Sequence, residues 1–200
     1  MTVRFSMIGL LLFALTIIAP EAAVAGWRRI DPTAVEVANG GMVAQPISSW
    51  NRASKRPAKN GESWTKDGFP LNRLDFFAGI EPGESIYKER SKKHRPLPKF
   101  ESNMLLPDLA GLFEANFSIE NDVTSFEVTN LEPATLGGAQ GLLLEYDFAL
   151  PGGALRRKGE ARIAVHKGKL HVVNFTAPKL HYFDDSISEV QAMMDSIKLR

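Results

Sequence analysis

Leu155 to Thr176 reads LRRKGEARIAVHKGKLHVVNFT, and the middle of this stretch decides the fold. Lys167-Gly168 separates two apolar-rich runs, and a spacer of two residues closes a tight β-hairpin. With Lys167 and Gly168 in the loop, His166 faces Lys169, Val165 faces Leu170 and Ile163 faces Val172. Ile163, Val165, Leu170 and Val172 then share one face of the pleat. The opposite face holds Arg162, Ala164, His166 and His171 near the turn, with Val173 and Phe175 further away. Both faces are apolar away from the turn. A sheet of that kind needs cover on both sides.

Upstream, Gly141 to Leu150 alternates, with Leu142, Leu144, Tyr146 and Phe148 on one face and Glu145 and Asp147 on the other. Gly137-Gly138 and Pro151-Gly152-Gly153 are turns on either side of it. Thr124 to Leu131 is a further predicted strand. A helix is predicted near Pro107 to Phe117, where Leu109, Leu112, Phe113 and Phe117 share a face and Pro107 suits a first turn. Gly111 weakens that helix.

Downstream, Pro178 ends the strand. Ser186-Ile187-Ser188-Glu189 matches a capping box, in which Ser and Glu side chains satisfy free amides at a helix start. Ile187, Val190, Met194 and Ile197 recur at helical spacing. Asp184 and Asp185 would sit near the positive end of that helix, and Lys198 and Arg200 near its negative end.

The N-terminal half is loop-rich. Short strands are predicted at Thr33 to Val37 and Met42 to Ala44, around the Asn39-Gly40-Gly41 turn. Arg52 to Glu62 (RASKRPAKNGE) reads as an exposed connection. Trp64 to Gly68 is a strand end entering a turn. Leu71 to Ile80 alternates, which places Leu74, Phe76, Ala78 and Ile80 on one face. The fold class is therefore α+β: an antiparallel sheet of six or seven strands with a helix on each face, an α/β/α sandwich.

Residues 104–200 resemble the PsbP-like family. The likeness rests on Gly141-Leu142-Leu143-Leu144-Glu145-Tyr146, on Lys169 to Pro178 (KLHVVNFTAP), on Phe183, and on a closing helix that ends in Ser196-Ile197-Lys198-Leu199. That family includes the extrinsic protein of photosystem II and a nuclear-transport partner of a small GTPase. The resemblance implies a central antiparallel sheet between helices, and an assembly or binding module in place of an enzyme. No functional residue transfers position by position, and Trp50 and Trp64 to Gly68 match nothing in the family pattern.

The first 25 residues read as an export signal. Arg4 supplies the positive start, Met7 to Pro20 is an apolar run, and Ala23-Val24-Ala25 is a small-x-small cleavage site before Gly26. The run is about 14 residues long, against roughly 20 for a membrane-spanning helix. An uncleaved anchor is the alternative. Residues 26–200 then form a single domain. The chain has no cysteine, which excludes disulfides, thiolate metal sites, a cysteine nucleophile and a lipid-modified N-terminus. A disulfide-free exported domain reads as bacterial, and as periplasmic or secreted. The net charge of +1 gives no overall pull toward nucleic acid. A monomer that touches membranes peripherally, if at all, and binds no nucleic acid is expected.

Lys88 to Lys99 (KERSKKHRPLPK) is the most charged run. Lys88, Arg90, Lys92, Lys93, Arg95 and Lys99 face only Glu89 as countercharge within it, and Pro96 and Pro98 keep it extended. It is either a solvated loop or a patch for an anionic surface or an envelope protein. Enzymatic alternatives are thinner. His181 with Asp184 and Asp185 offers one imidazole and two carboxylates for hydrolysis or a metal, against an ordinary role at a helix start. His166 and His171 share a face but sit beside Lys169 and Arg162, which disfavour a cation. No serine lies in a nucleophile elbow. Gly137-Gly138-Ala139-Gln140-Gly141 precedes a strand, so it does not cradle phosphate. No catalytic, metal or cofactor site is expected. Trp27, Trp50 and Trp64 are either core anchors or a surface patch for a partner.

Overall fold

The computed structural model describes residues 26–91, 93–153 and 155–200. The export-signal reading falls on residues 1–25, outside the described residues. The elements in order are β1 (Trp27–Ile30), β2 (Val35–Val37), β3 (Met42–Ala44), β4 (Trp50–Ala53), β5 (Gly61–Thr65), β6 (Arg73–Ile80), α1 (Leu106–Asn121), β7 (Ser125–Leu136), β8 (Ala139–Ala149), β9 (Arg157–His166), β10 (Lys169–Pro178), α2 (Tyr182–Ser196) and β11 (Lys198–Leu199). An eight-stranded antiparallel sheet runs β1-β4-β5-β6-β10-β9-β8-β7, and a small sheet runs β11-β3-β2. The large sheet exceeds the six or seven strands predicted from the pattern. The short strands β1 and β4 carry no clear alternation, so periodicity passes over them.

The β9–β10 hairpin has the expected register, with His166 opposite Lys169, Val165 opposite Leu170 and Ile163 opposite Val172. Lys167 and Gly168 both have positive φ, 50° and 75°, as a turn matched to the strand twist requires. Alternation along β10 then feeds two cores. Val173, Phe175 and Ala177 pack with Phe183, Val190, Met193 and Met194 of α2. Leu170 and Val172 pack with Leu109, Leu112, Phe113 and Phe117 of α1, joined by Leu142, Leu144, Tyr146 and Phe148 of β8.

Strand β6 departs from its pattern. Leu74, Phe76 and Ala78 enter the α2 core as expected, but Ile80 enters the α1 core with Phe77. Pairing shifts from Phe77 opposite Val172 to Ile80 opposite Leu170. One extra residue on β6 forms a bulge at Gly79, whose φ is +64°, and the bulge turns Ile80 over.

Two further expectations are corrected. Helix α2 begins at Tyr182, with His181 at the N-cap and no capping side chain. Ser186 is buried inside the helix, and the Glu189 carboxylate reaches Ser48, Trp50 and Lys66 in place of a helix-start amide. The capping-box spacing also fits a helix interior whose Glu finds tertiary partners. Asp184 and Asp185 do occupy the first turn, but no basic residue lies in the last; Arg200 pairs with Glu36 at 2.5 Å. The Arg52–Glu62 stretch is not all exposed connection either. Arg52 belongs to β4 and Glu62 to β5, and the buried Glu62 carboxylate accepts the Trp64 indole N–H at 2.6 Å and pairs with Arg52 at 2.5 Å.

Trp50 and Trp64 are fully buried, so neither forms a surface patch for a partner. Trp27 is 42% exposed and meets Phe69 edge-on, with centroids 5.0 Å apart.

Candidate anion-binding cleft

Two loops make the cleft. The first, residues 54–60, links β4 to β5. The second lies between β6 and α1, and backbone bonds close its base: Gly83 N–H to the Phe100 carbonyl at 2.8 Å, and Phe100 N–H to the Glu84 carbonyl at 2.9 Å. The Lys88 N–H donates to the Pro57 carbonyl at 2.9 Å and ties the loops together. Asn116, fully buried on α1, staples both arms of the second loop. Its Oδ1 accepts the Ile86 N–H at 3.2 Å, and its Nδ2 donates to the carbonyls of Pro98 and Leu112, each at 3.0 Å. Asn116→Ala should cost about 2–3 kcal/mol, because a buried amide and carbonyl lose their partners. Urea denaturation measures the loss, and hydrogen exchange at the Ile86 amide should accelerate. Unchanged exchange there would remove the staple.

The cavity between the loops has a volume of about 670 Å³. Lys55, Arg56 and Lys59 line it from the first loop, and Lys88 and Lys99 from the second, with Glu84 and Glu89. Lys99 is held by Glu89 at 3.0 Å. Among the described residues, the side chains of Lys55, Arg56, Lys59 and Lys88 have no ion pair or hydrogen bond. The floor is Phe77, Ile80, Ile86 and Tyr87, with the Phe77 and Tyr87 rings edge to face at 4.8 Å. A smaller cavity of about 280 Å³ shares Lys55, Arg56 and Lys88. It also reaches Ser63 and Arg73, which both bond to the buried Asp75 at 2.5 and 2.9 Å.

The predicted basic patch is thus partly neutralised. Besides Lys99, Arg90 pairs with Glu120. Arg95 pairs with Asp122 at 2.7 Å and donates to the Ile119 carbonyl, at the negative end of α1. Lys92 lies outside the described residues. Lys88 joins the cleft, and Lys93 is exposed away from these pairs. The countercharges Glu120 and Asp122 come from a helix end, invisible within the run itself. The basic residues of the first loop were legible as RASKRPAK, but nothing local to that stretch aims them at Lys88.

The other candidates do not converge. His181 pairs with Asp185 at 2.9 Å, both exposed at the start of α2, and Asp184 is also exposed. The His166 and His171 rings are 6.3 Å apart. Burial, then His166 and Lys169, push the His171 imidazole down to about 4. His171 is therefore neutral near pH 7, and its Nδ1 accepts the Gly79 N–H at 3.4 Å. Among the described residues no group of three His, Asp or Glu side chains could hold a metal ion.

No family model and no curated protein sequence matches the chain. Solved structures do. The cyanobacterial PsbP of Synechocystis aligns with 91% of this chain and 97% of its own, at a TM-score of 0.54 and 13% identity. The Ran-binding protein Mog1p of Saccharomyces cerevisiae aligns with 86% of this chain and 95% of its own, at 0.48 and 10%. LpqN of Mycobacterium tuberculosis, involved in cell envelope biogenesis, aligns with 89% and 87%, at 0.33 and 10%. The chain has a PsbP-like fold, and at these identities the likeness speaks to fold alone.

Proposed function

We propose that this PsbP-like domain is a non-enzymatic binding or accessory module of the cell envelope, and that it holds an anionic partner in the basic cleft. In this reading residues 1–25 direct export and are removed, leaving a periplasmic or secreted monomer with its sheet sandwiched between α1 and α2. The observation that carries the proposal is the meeting of Lys55, Arg56, Lys59 and Lys88 on one cavity without ion pairs. Cations brought together at the cost of mutual repulsion are favourable when an anion joins them. A hydrolase or metal enzyme built on His181 with Asp184 or Asp185 finds less support, because that pair sits in solvent at a helix start.

The test is co-sedimentation of the mature protein with vesicles containing phosphatidylglycerol, across a salt series. Binding should weaken as salt rises. Changing Lys55, Arg56, Lys59 and Lys88 together to Ala should weaken it by about a hundredfold or more, since each cation near an anionic surface contributes about 1 kcal/mol. Changing Arg90 and Arg95 to Ala should matter less, as both are already paired. Salt-independent binding, or a quadruple variant that binds like the parent, would sink the proposal.

A further inference from the structure

We infer that the ledge between α1 and the open edge of β7 docks a basic amphipathic helix of a partner protein, with the apolar face of that helix inward. This goes beyond the anionic-partner reading and shares no residue with the cleft.

The ledge is apolar and open to solvent. Strand β7 is the last of the large sheet. Val128 stands opposite Tyr146 and Leu131 opposite Leu144, so both lie on the face that α1 covers over β8. Helix α1 reaches β7 at Phe126, which meets Phe117 with ring centroids 6.2 Å apart. It leaves Val128 44% and Leu131 45% exposed. The flank of α1 that carries Phe117 also carries Glu114, Ala110 and Leu106, at helical spacing before it. Leu106 is 39% exposed. Leu106, Val128 and Leu131 thus present apolar surface that the fold itself does not cover, and removing it from water is favourable.

Charge selects the occupant. Residues 101–154 hold nine acidic side chains and no Lys, Arg or His. Glu120, Asp122, Glu127, Glu145 and Asp147 pair with cations from outside that segment. Among the described residues Glu101, Asp108, Glu114 and Glu132 have no ion pair. Glu114 borders the ledge on the α1 side, and Glu132 follows Leu131 on the edge strand. Apolar side chains bordered by carboxylates fit a partner whose apolar side chains are bordered by Lys or Arg. The same carboxylates repel an anionic bilayer, which makes a protein the better occupant. A strand partner fits poorly. Pairing of β7 with β8 shifts between Val128 and Asn130, and Pro133 has no N–H to donate; a bulge and a proline both blunt an edge. A helix laid on the ledge needs no main-chain ladder.

Fluorescence anisotropy of a labelled peptide of about 14 residues, with Leu and Lys at helical spacing, tests this on the whole mature protein. The peptide should bind, and more weakly as salt rises. The same peptide with Glu in place of every Lys should bind far more weakly. Val128→Lys with Leu131→Lys should weaken binding by about tenfold or more, without changing the melting temperature, since both positions are exposed. Glu114→Lys with Glu132→Lys should weaken it as well, and decides the matter if the first pair lowers the melting temperature. The quadruple cleft variant should bind the peptide like the parent; a loss there would place the peptide at the cleft and overturn the ledge. Parent-like binding by both ledge variants, or no binding at all, would overturn it too. A Leu–Glu peptide that binds as tightly would overturn the charge selection. Tighter binding by a strictly alternating Leu–Lys peptide would overturn the helix in favour of strand addition. Vesicle binding reads the cleft alone, so the anionic-partner reading stands or falls separately.

Discussion

Gly159→Ala should destabilise the domain by about 3–5 kcal/mol, as overpacking and a broken buried hydrogen bond act together. A Cβ at Gly159 would stand 2.2 Å from Tyr146 Cζ, 2.5 Å from its hydroxyl and 2.6 Å from Cε1. Tyr146 cannot yield cheaply. It is fully buried, stacked on Phe126 at 4.5 Å and flanked by Phe117 at 5.4 Å and Phe113 at 5.7 Å. The ring lies across β9 so that its hydroxyl donates to Asn174 Oδ1 on β10 at 2.7 Å. Moving the ring strands Asn174, whose Nδ2 already has no hydrogen-bond partner among the described residues. Urea denaturation gives the loss directly. A double-mutant cycle identifies the cause: with Tyr146→Ala in place, Gly159→Ala should cost under about 1 kcal/mol. Additive losses would show that the glycine serves something other than passage of the ring.

Glu189→Ala should cost about 2 kcal/mol, because it removes one partner of a partly buried ion pair and frees two further donors. The Glu189 carboxylate on α2 accepts Ser48 Oγ at 2.6 Å and the Trp50 indole N–H at 3.0 Å, and it pairs with Lys66. Lys66 also stands over the Trp50 ring, 5.2 Å from its centroid. One side chain thus anchors the last helix to the loop-rich N-terminal half. Burial pushes this carboxyl up, but hydrogen bonds from Lys66, Ser48 and Trp50 outweigh burial and hold it below its usual value of 4.5. A depressed folded pKa means that the unfolded chain takes up the proton first. The contribution is therefore present above about pH 4.5 and lost as the pH falls through the folded value. Denaturation midpoints of parent and Glu189→Ala should differ most above that pH and converge below it. A constant gap across the acid range would rule out an ionised anchor.

Both predictions concern residues whose importance is spatial. Gly159 reads as an ordinary glycine in a strand, and Glu189 as half of a capping box. The pattern around Lys167-Gly168 was a better guide, because a two-residue turn and a period of two leave one register compatible with the apolar faces. Ile80 escaped the same logic, since a bulge at Gly79 breaks the period that the inference depends on. Helix α1 was legible from Leu109, Leu112, Phe113 and Phe117, whereas its C-terminal acids, which neutralise Arg90 and Arg95, belong to no motif.

Local pattern determined the strand order of the C-terminal half and the division of β10 between two cores, because strand periodicity and turn chemistry act between chain neighbours. The tertiary structure decided which charges remain free. Arg90 and Arg95 are spent on the end of α1, while Lys55, Arg56, Lys59 and Lys88 meet at one cleft without an ion pair among the described residues. Coulombic pairing depends on distance in space, and the Lys88–Pro57 bond that sets this distance joins segments far apart in sequence.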